Sequence, residues 1–398
     1  MTGISAMTVA ARLAPRALAV EPFHVMRLLA RARELEAQGR SIVHLEIGEP
    51  DFPTPTPILA AGQHALASGA THYSAAAGLP ALRLAIAVYY GSRYGLPVAP
   101  ERVLVTPGAS GALQLVFAAL LEPGDRVLMG DPSYPCYRQV LGLMGVEPLL
   151  VPLDAADDYQ LTAALAESAW TPEVRAVLVA SPANPTGAVM SAATLRELHA
   201  LCRARGAALI VDEIYQGLVY EALDHTALAA GADDLYVINS FSKYFGMTGW
   251  RVGWLVAPGG AVQVLERLAQ NLFIAASTPA QYAALAAFAP GTLAILEERR
   301  AIFRQRRDRL LASLRELGFV IPRRPEGAFY LYAGLPERVA GDASGFAARL
   351  LEDAGVAVTP GCDFGHHRAD RHVRFAYTRD LDALDLACQR LGDHLTRL

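Results

Sequence analysis

Lysine is almost absent from this chain of 398 residues: of its 35 basic residues, only Lys243 is a lysine. A genome that favours arginine codons is the plain explanation. Arginine nevertheless replaces lysine only as a cation, because its guanidinium stays protonated and cannot act as an amine nucleophile. The one retained lysine is therefore a candidate for chemistry that needs a free amine, such as formation of an imine with a carbonyl compound.

Cysteine is also scarce, and the four cysteines (Cys136, Cys202, Cys362 and Cys388) form no CxxC pair and no spacing typical of metal ligands. This usage is typical of a reduced, cytoplasmic protein without a structural metal. The apolar stretch 112–121 has about half the length that spans a bilayer, and no compact apolar segment near the N-terminus suggests a signal peptide. We expect a cytoplasmic protein without a membrane partner.

Charge of either sign is not in large excess, since the net charge is −4 and the isoelectric point is about 6.2. Such a balance excludes general attraction to nucleic acid, so any anion must be bound by a local group of residues. Hydrophobic residues make up 53% of the chain and charged residues 19%, which excludes disorder and supplies a large core. The length indicates two or three domains.

Short apolar runs alternate with amphipathic helical stretches from about residue 100. The runs 102–106, 126–130, 176–180, 208–211 and 235–239 are expected to be buried strands, and 191–205 is expected to be a helix. This alternation predicts an α/β fold with a mainly parallel sheet. After about residue 285 the pattern predicts a long helix over 297–317, strands at 328–332 and 372–377, and a closing helix over 382–398.

The change of pattern predicts three parts of the chain. Residues 1–50 form an N-terminal segment, with a helix that ends near Gly39, and this segment joins a smaller α+β domain formed by residues 286–398. Residues 51–285 form the large domain.

Polar residues follow several of the predicted strands, at the points where ligands bind to open α/β sheets. Ala109 and Ser110 lie in a small-residue turn that opens a helix, a place where backbone N–H groups attract phosphate. The other groups are Asn184 after one strand, Asp212 and Tyr215 after the next, and Ser240, Ser242 and Lys243 after a third, with Arg251 eight residues later. Two hydroxyls, an amine and a guanidinium so close together predict a phosphate site beside an imine-forming lysine.

The chain resembles the class I/II aminotransferases, enzymes of the aspartate aminotransferase fold (fold type I) that use pyridoxal 5′-phosphate (PLP). The resemblance covers nearly the whole chain. It rests on an ordered set of motifs: Gly48–Phe52, Tyr73 with Gly78–Arg83, Asp131–Tyr134, Asn184–Gly187, Asp212–Tyr215, Ser240–Lys243 with Met247–Arg251, and Val373–Arg374. The fold that it implies is a large domain with a mainly parallel mixed sheet between helices, followed by a smaller α+β domain.

The resemblance also implies a role for each residue that would contact the reacting part of the cofactor. Lys243 would form the internal aldimine with the PLP aldehyde and then move a proton between the substrate and the cofactor. Asp212 would keep the pyridine nitrogen protonated, while Tyr215 and Asn184 would hydrogen-bond the 3′ oxygen of the ring.

Further residues would hold the rest of the cofactor and the substrate. Tyr134 would stack on the ring, and Ser240, Ser242, Arg251 and the amides near Ala109 and Ser110 would bind the phosphate. Tyr73 would reach that phosphate from the partner subunit, so that a homodimer is expected. Arg374 would bind the substrate α-carboxylate as a bidentate pair, within a substrate site that also includes Gly48 and Asn184.

The implied activity is transfer of the amino group of an L-amino acid to a 2-oxo acid, with aspartate and 2-oxoglutarate as one expected pair. No residue stands out as the reader of the substrate side chain. Two other functions share the motifs: a fold type I lyase, such as a carbon–sulfur β-lyase or a cyclopropane-forming synthase, and, more distantly, a PLP-binding regulatory protein. The regulatory protein would carry a DNA-binding domain before residue 48, and no basic recognition helix is apparent there.

Overall fold

The computed structural model describes residues 13–231 and 233–397. The first twelve residues of the predicted N-terminal segment, and Leu398 at the end of the predicted closing helix, lie outside the described residues. The strands β1 to β12 are Val43–His44, Val103–Thr106, Arg126–Asp131, Glu147–Pro152, Val174–Ala180, Ala208–Asp212, Tyr236–Ser240, Gly253–Val256, Tyr330–Gly334, Val356–Ala357, Thr359–Pro360 and His372–Ala376.

The helices alternate with these strands through the middle of the chain. The helices α1 to α14 are Pro15–Leu18, His24–Ala37, Thr56–Ala67, Pro80–Tyr94, Gly108–Leu120, Pro135–Leu143, Ala163–Ser168, Ala192–Arg205, Leu228–Gly231, Val262–Leu272, Thr278–Leu285, Pro290–Glu316, Ala343–Arg349 and Leu381–Leu395. Short 3₁₀ turns lie at Pro100–Arg102, Ala155–Asp157, Thr248–Trp250, Gly259–Ala261, Ala286–Phe288, Gly361–Asp363 and Ala369–Arg371, and a π turn lies at Leu350–Ala354.

A seven-stranded mixed sheet in the order β2-β8-β7-β6-β5-β3-β4 forms the centre of the molecule. Among the described strands of this sheet, only β8 is antiparallel to both of its neighbours; the other pairs are parallel. Successive residues of its strands pack on opposite sides: Val177 belongs to one buried cluster and Leu178 to the other. Burial on both faces explains the nearly continuous apolar runs in the sequence and confirms the predicted α/β class.

The predicted helix at 191–205 is present as α8, and its ends show why it forms there. The hydroxyl of Ser191 accepts a hydrogen bond from the N–H of Thr194 at 3.0 Å and so caps the first turn. Gly206 ends the helix in the left-handed conformation, with φ of 66°. The first residue of the predicted segment is therefore the cap rather than part of the helix.

The long helix α12 begins at Pro290, seven residues before the predicted start at Glu297. Proline suits the first turn of a helix because its missing N–H would have no partner there. A three-stranded antiparallel sheet, β11-β12-β9, follows α12, and β1 pairs in parallel with β10 through Val43 and Val356. The N-terminal segment thus contacts the C-terminal part of the chain, while the domain limits at residues 50 and 285 remain a prediction.

No single helix among the described residues is both long and apolar enough to cross a bilayer. Residues Thr278–Phe288 and Pro290–Glu316 satisfy the length and composition together, but they meet at a bend of 80°.

Candidate active site

One edge of the seven-stranded sheet collects the polar residues that follow the strands. Strands β2, β3, β5, β6 and β7 end at this edge, and antiparallel β8 begins there, as the pairings of Thr106 and Ser240 with Gly253 show. A cavity of about 290 Å³ opens beside it. Nine of the predicted site residues line this cavity: Gly48, Ala109, Ser110, Tyr134, Asn184, Asp212, Tyr215, Lys243 and Arg374.

Lys243 lies in the turn that follows β7, and its amine points to the chain segment before α3. The Nζ donates a hydrogen bond to the carbonyl oxygen of Gly48 at 2.6 Å and lies 6.0 Å from the centre of the Tyr215 ring. The pKa of Lys243 is lowered to about 8, mainly by burial; the nearby guanidinium groups of Arg374 and Arg251 act in the same direction, while Glu49 opposes them. The amine is therefore deprotonated more readily than that of an ordinary lysine.

Asp212 is the last residue of β6, and its carboxylate is almost completely buried, with 2% of the residue exposed. The Oδ2 accepts a hydrogen bond from the Tyr137 hydroxyl at 2.7 Å, and the Oδ1 accepts one from the N–H of Ile214 at 2.9 Å. Burial raises the pKa of Asp212 to about 6, although both hydrogen bonds act to lower it. A buried carboxylate of this kind gains most from a cationic partner in the adjacent cavity.

Tyr215 follows Asp212 by three residues, and its hydroxyl lies 2.8 Å from the hydroxyl of Tyr330 in β9. Burial raises the pKa of Tyr215 well above its ordinary value. Both rings pack edge to face, with centres 5.6 Å apart. Tyr330 also explains the glycine at position 48, because a Cβ atom there would lie 1.9 Å from its hydroxyl.

Arg374 in β12 forms the far wall of the cavity and is 5% exposed. Its Nη1 donates to the Oδ1 of Asn184 at 3.0 Å, and its Nη2 donates to the carbonyl oxygen of Glu46 at 2.5 Å. The Nε is buried without a hydrogen-bond partner. The guanidinium lies 4.3 Å from the centre of the Tyr330 ring. It is thus held in place while retaining the capacity to bind an anion.

Ser240, Ser242 and Arg251 lie beside the cavity rather than in its lining. The hydroxyl of Ser240 donates to that of Ser242 at 2.9 Å, and both residues are buried. The guanidinium of Arg251 packs against Gly108, where a Cβ atom would lie 2.5 Å from its Nη2. Gly108 also opens α5, so that the guanidinium and the free N–H groups of this helix lie together.

Tyr134 and Tyr73 differ in their surroundings. Tyr134 lines the cavity, its ring packs edge to face against Tyr137 with centres 5.4 Å apart, and its hydroxyl accepts a hydrogen bond from the Cys136 thiol. Tyr73 is 83% exposed and does not line the cavity of its own chain. The contribution of Tyr73 to a partner's phosphate site stays a prediction.

Three residues of the site were missed by sequence reasoning: Tyr137, Tyr330 and Glu46. Tyr137 lies in α6, three residues after the end of the motif Asp131–Tyr134. Its helical spacing from Tyr134 could have identified it. Tyr330 is more than a hundred residues from its partner Tyr215, so only the packing of β9 reveals the contact. Glu46 is completely buried beside Gly48, and the sequence carries no sign that this acidic residue is internal.

Known proteins resemble this chain over almost its whole length. The family profile described as aminotransferase class I and II matches residues 40–391. The valine–pyruvate aminotransferase of Mycobacterium tuberculosis is 38% identical over 385 residues, which cover 96% of this chain and 98% of that protein. The aspartate aminotransferase of Geobacillus stearothermophilus is 35% identical over 388 residues, covering 96% and 98%.

A solved structure shows the same likeness in three dimensions. The crystal structure of an aminotransferase from Mycobacterium tuberculosis superposes with a TM-score of 0.93 at 38% identity, and the match covers 98% of this chain and 100% of that one. The mixed seven-stranded sheet, with a partly buried lysine and a buried aspartate at its edge, therefore defines an α/β enzyme of fold type I. The chain belongs to the aminotransferase class I and II family, whose members use PLP, and it is a transaminase.

Proposed function

We propose that this chain catalyses transamination with PLP, and that Lys243 supplies the amine for the reaction. The observation that carries the proposal is the position of the chain's single lysine. It follows β7 at the ligand-binding edge of the sheet, and burial lowers the pKa of its amine to about 8. A lysine with these properties is suited both to imine formation and to proton transfer.

The residues around the cavity fit PLP. The buried carboxylate of Asp212 suits the pyridine nitrogen, and the Tyr215 hydroxyl and Asn184 suit the 3′ oxygen, since all three line the same cavity as Lys243. Arg251, packed on Gly108 at the start of α5, suits a phosphate dianion together with Ser240 and Ser242. The ring of Tyr134 offers a face for stacking on an aromatic cofactor.

When bound, PLP supplies an electron sink for the electrons that the substrate Cα–H bond leaves behind. Lys243 accepts and returns the proton, because its amine is desolvated and its pKa is lowered towards the working range. Asp212 keeps a proton on the pyridine nitrogen by remaining ionised itself. Tyr137 supports that state by donating to the Oδ2 of Asp212.

Arg374 binds the substrate α-carboxylate, together with Asn184 and the Gly48 segment. The planar guanidinium offers two parallel N–H donors, which match the two oxygens of a carboxylate. Its existing bonds to Asn184 and to the carbonyl oxygen of Glu46 fix its orientation before substrate arrives. Such preorganisation lowers the entropic cost of orienting the substrate.

The proposed assembly is a homodimer in the cytoplasm, in which Tyr73 contributes to the phosphate site of the partner subunit. The donor and acceptor are not given by the comparisons, because the two relatives are named for different donors, valine and aspartate. The aspartate and 2-oxoglutarate pair remains the prediction made from the sequence.

A half-reaction titration tests the proposal. The purified protein is incubated with PLP, and its absorption spectrum is recorded before and after addition of single L-amino acids. We expect one or more amino acids to convert the cofactor band to that of the pyridoxamine form, and a 2-oxo acid to restore it. Release of pyruvate and ammonia without an acceptor would instead indicate a lyase.

A further inference from the structure

The wall of the cavity next to Arg374 is built mainly from helix α2. Asp363 accepts hydrogen bonds from the N–H groups of His24 and Val25, at 2.8 and 3.0 Å, and so fixes the start of α2. Thr359, four residues earlier, accepts a hydrogen bond from the Nη2 of Arg374. The short segment 359–363 therefore connects the start of α2 to Arg374, the proposed partner of the α-carboxylate. The side chain of an amino acid bound to Arg374 must lie near this end of α2.

Apart from Thr359 and Asp363, whose side chains are bound to Arg374 and to the start of α2, the side chains that this region presents to the cavity are apolar. They are Phe23, Val25, Met26 and Leu29 around α2, with Ile47 before Gly48 and Leu113 from α5. An apolar wall rejects a charged group, because that group would lose its hydration without gaining a partner.

Cations in the described part of the chain do not compensate for this wall. Among the described lysines, arginines and histidines, only Lys243 and Arg374 line the cavity. Both have tasks in the proposed reaction. Arg138 approaches from outside and donates to the carbonyl oxygen of Asp363 at 3.0 Å, but it is not one of the lining residues.

An acidic residue, Glu46, also belongs to the lining of this cavity. It is completely buried and lines the cavity; its Oε1 lies 2.7 Å from the Nδ1 of His44, whereas its Oε2 has no hydrogen-bond partner. The second nitrogen of His44 lies 3.1 Å from the Oε1 of Glu36, so that one imidazole is shared between two carboxylates. The carboxylate of Glu46 has only acceptor atoms, one of them without a partner, so it supplies no hydrogen-bond donor to a substrate carboxylate.

We infer that the amino-donor subsite selects amino acids with apolar side chains and discriminates against aspartate and glutamate, through the apolar wall of α2 and the buried carboxylate of Glu46. The inference rests on the proposed function and adds its substrate class. It departs from the aspartate-type pair that the sequence resemblance favours. Discrimination of this kind combines an attractive apolar surface with the lack of a partner for a charged side chain.

The test measures kcat/KM of the half-reaction for L-leucine and L-methionine against L-aspartate and L-glutamate. We expect the apolar donors to react at least about tenfold better, equivalent to about 1.4 kcal/mol of discrimination. A preference for aspartate or glutamate would overturn the inference about the donor subsite but not the proposed transamination. A cation supplied by the partner subunit would then explain that preference. Failure of every amino acid would instead defeat the proposed function and this inference with it.

Two substitutions make the test specific to the residues named. Met26→Arg places a cation at a side chain that is 55% exposed, so the fold tolerates it, and Met26→Gln is the neutral control. We expect Met26→Arg to raise the aspartate-to-leucine ratio of kcat/KM about tenfold and the control to change it less than threefold. Glu46→Gln should raise the same ratio. The inferred subsite would be contradicted if Met26→Arg and Met26→Gln had equal aspartate-to-leucine ratios of kcat/KM and Glu46→Gln left this ratio unchanged.

Discussion

The hydroxyl of Tyr137 donates a hydrogen bond of 2.7 Å to the Oδ2 of Asp212, and both residues are buried at the edge of the sheet. Burial raises the pKa of the carboxylate to about 6, and this hydrogen bond lowers it, because a donor stabilises the ionised form. The charge state of Asp212 near neutral pH therefore depends on Tyr137, which acts as a positioning residue for the aspartate.

Substitution Tyr137→Phe removes that donor and raises the pKa of Asp212 further. We expect the acid limb of the pH profile of kcat/KM to move to higher pH by about one unit, the worth of one hydrogen bond to a charged group. Tyr220→Phe removes a buried hydroxyl that donates to the carbonyl oxygen of Ala328, away from Asp212, and serves as the control. An acid limb that stays in place in Tyr137→Phe would show that the contact does not tune Asp212.

Substitution Asp212→Asn removes the carboxylate that we propose keeps the pyridine nitrogen of PLP protonated. We expect kcat of the half-reaction to fall by at least about 100-fold, while the circular dichroism spectrum is retained. An Asp212→Asn enzyme of normal activity would remove Asp212 from the site.

Asp212→Asn should lower the activity but raise the stability of the cofactor-free protein at neutral and alkaline pH. The pKa of Asp212 is higher in the folded protein, about 6, than its ordinary value of 3.8, so the folded state binds the proton more tightly than the unfolded state. Ionisation consequently destabilises the fold as pH rises from about 4, and the loss is complete above about pH 6. Denaturant unfolding at pH 8 should show Asp212→Asn more stable by up to about 3 kcal/mol. The difference should vanish near pH 4, and a gap independent of pH would refute the pKa shift.

Substitution Arg374→Lys keeps the positive charge but loses the planar pair of donors. We expect KM to rise about 100-fold for every amino acid that reacts, because all of them share the α-carboxylate. Arg371→Lys, whose guanidinium bonds the carbonyl oxygens of Val339 and Gly341 instead, is the control. An unchanged KM in Arg374→Lys would place the carboxylate elsewhere.

Hybrid dimers test whether Tyr73 acts across the subunit interface. One chain carries Lys243→Ala and the other carries Tyr73→Phe. If Tyr73 serves the partner, one of the two sites combines both defects and the other is intact, so activity should approach half that of the wild-type dimer. If Tyr73 serves its own chain, no intact site forms, and activity should not exceed half that of the Tyr73→Phe dimer.

The sequence predicted the sheet well where both faces are buried, because β3, β5, β6 and β7 appear as apolar runs. It missed β4 and β8: β4 contains two prolines, and β8 has only four residues, of which the first is Gly253. The candidate site was predictable to the extent that its residues follow strand ends, as Asp212 and Lys243 do.

Contacts between distant parts of the chain could not be predicted from local pattern. The wall formed by α2 depends on the position of Asp363, more than 300 residues away, whose carboxylate binds the first N–H groups of the helix. The orientation of Arg374 depends likewise on Glu46 and Asn184. These contacts arise from tertiary packing, on which periodicity in the sequence carries no information.

The role of Lys243 is tested most directly by borohydride reduction of the protein after incubation with PLP, followed by mass spectrometry of the intact chain and its peptides. Because Lys243 is the only lysine, we expect one reduced cofactor per chain, located on Lys243, and none on the Lys243→Arg variant. Attachment to the α-amino group of the chain, or no attachment at all, would contradict the central role of Lys243.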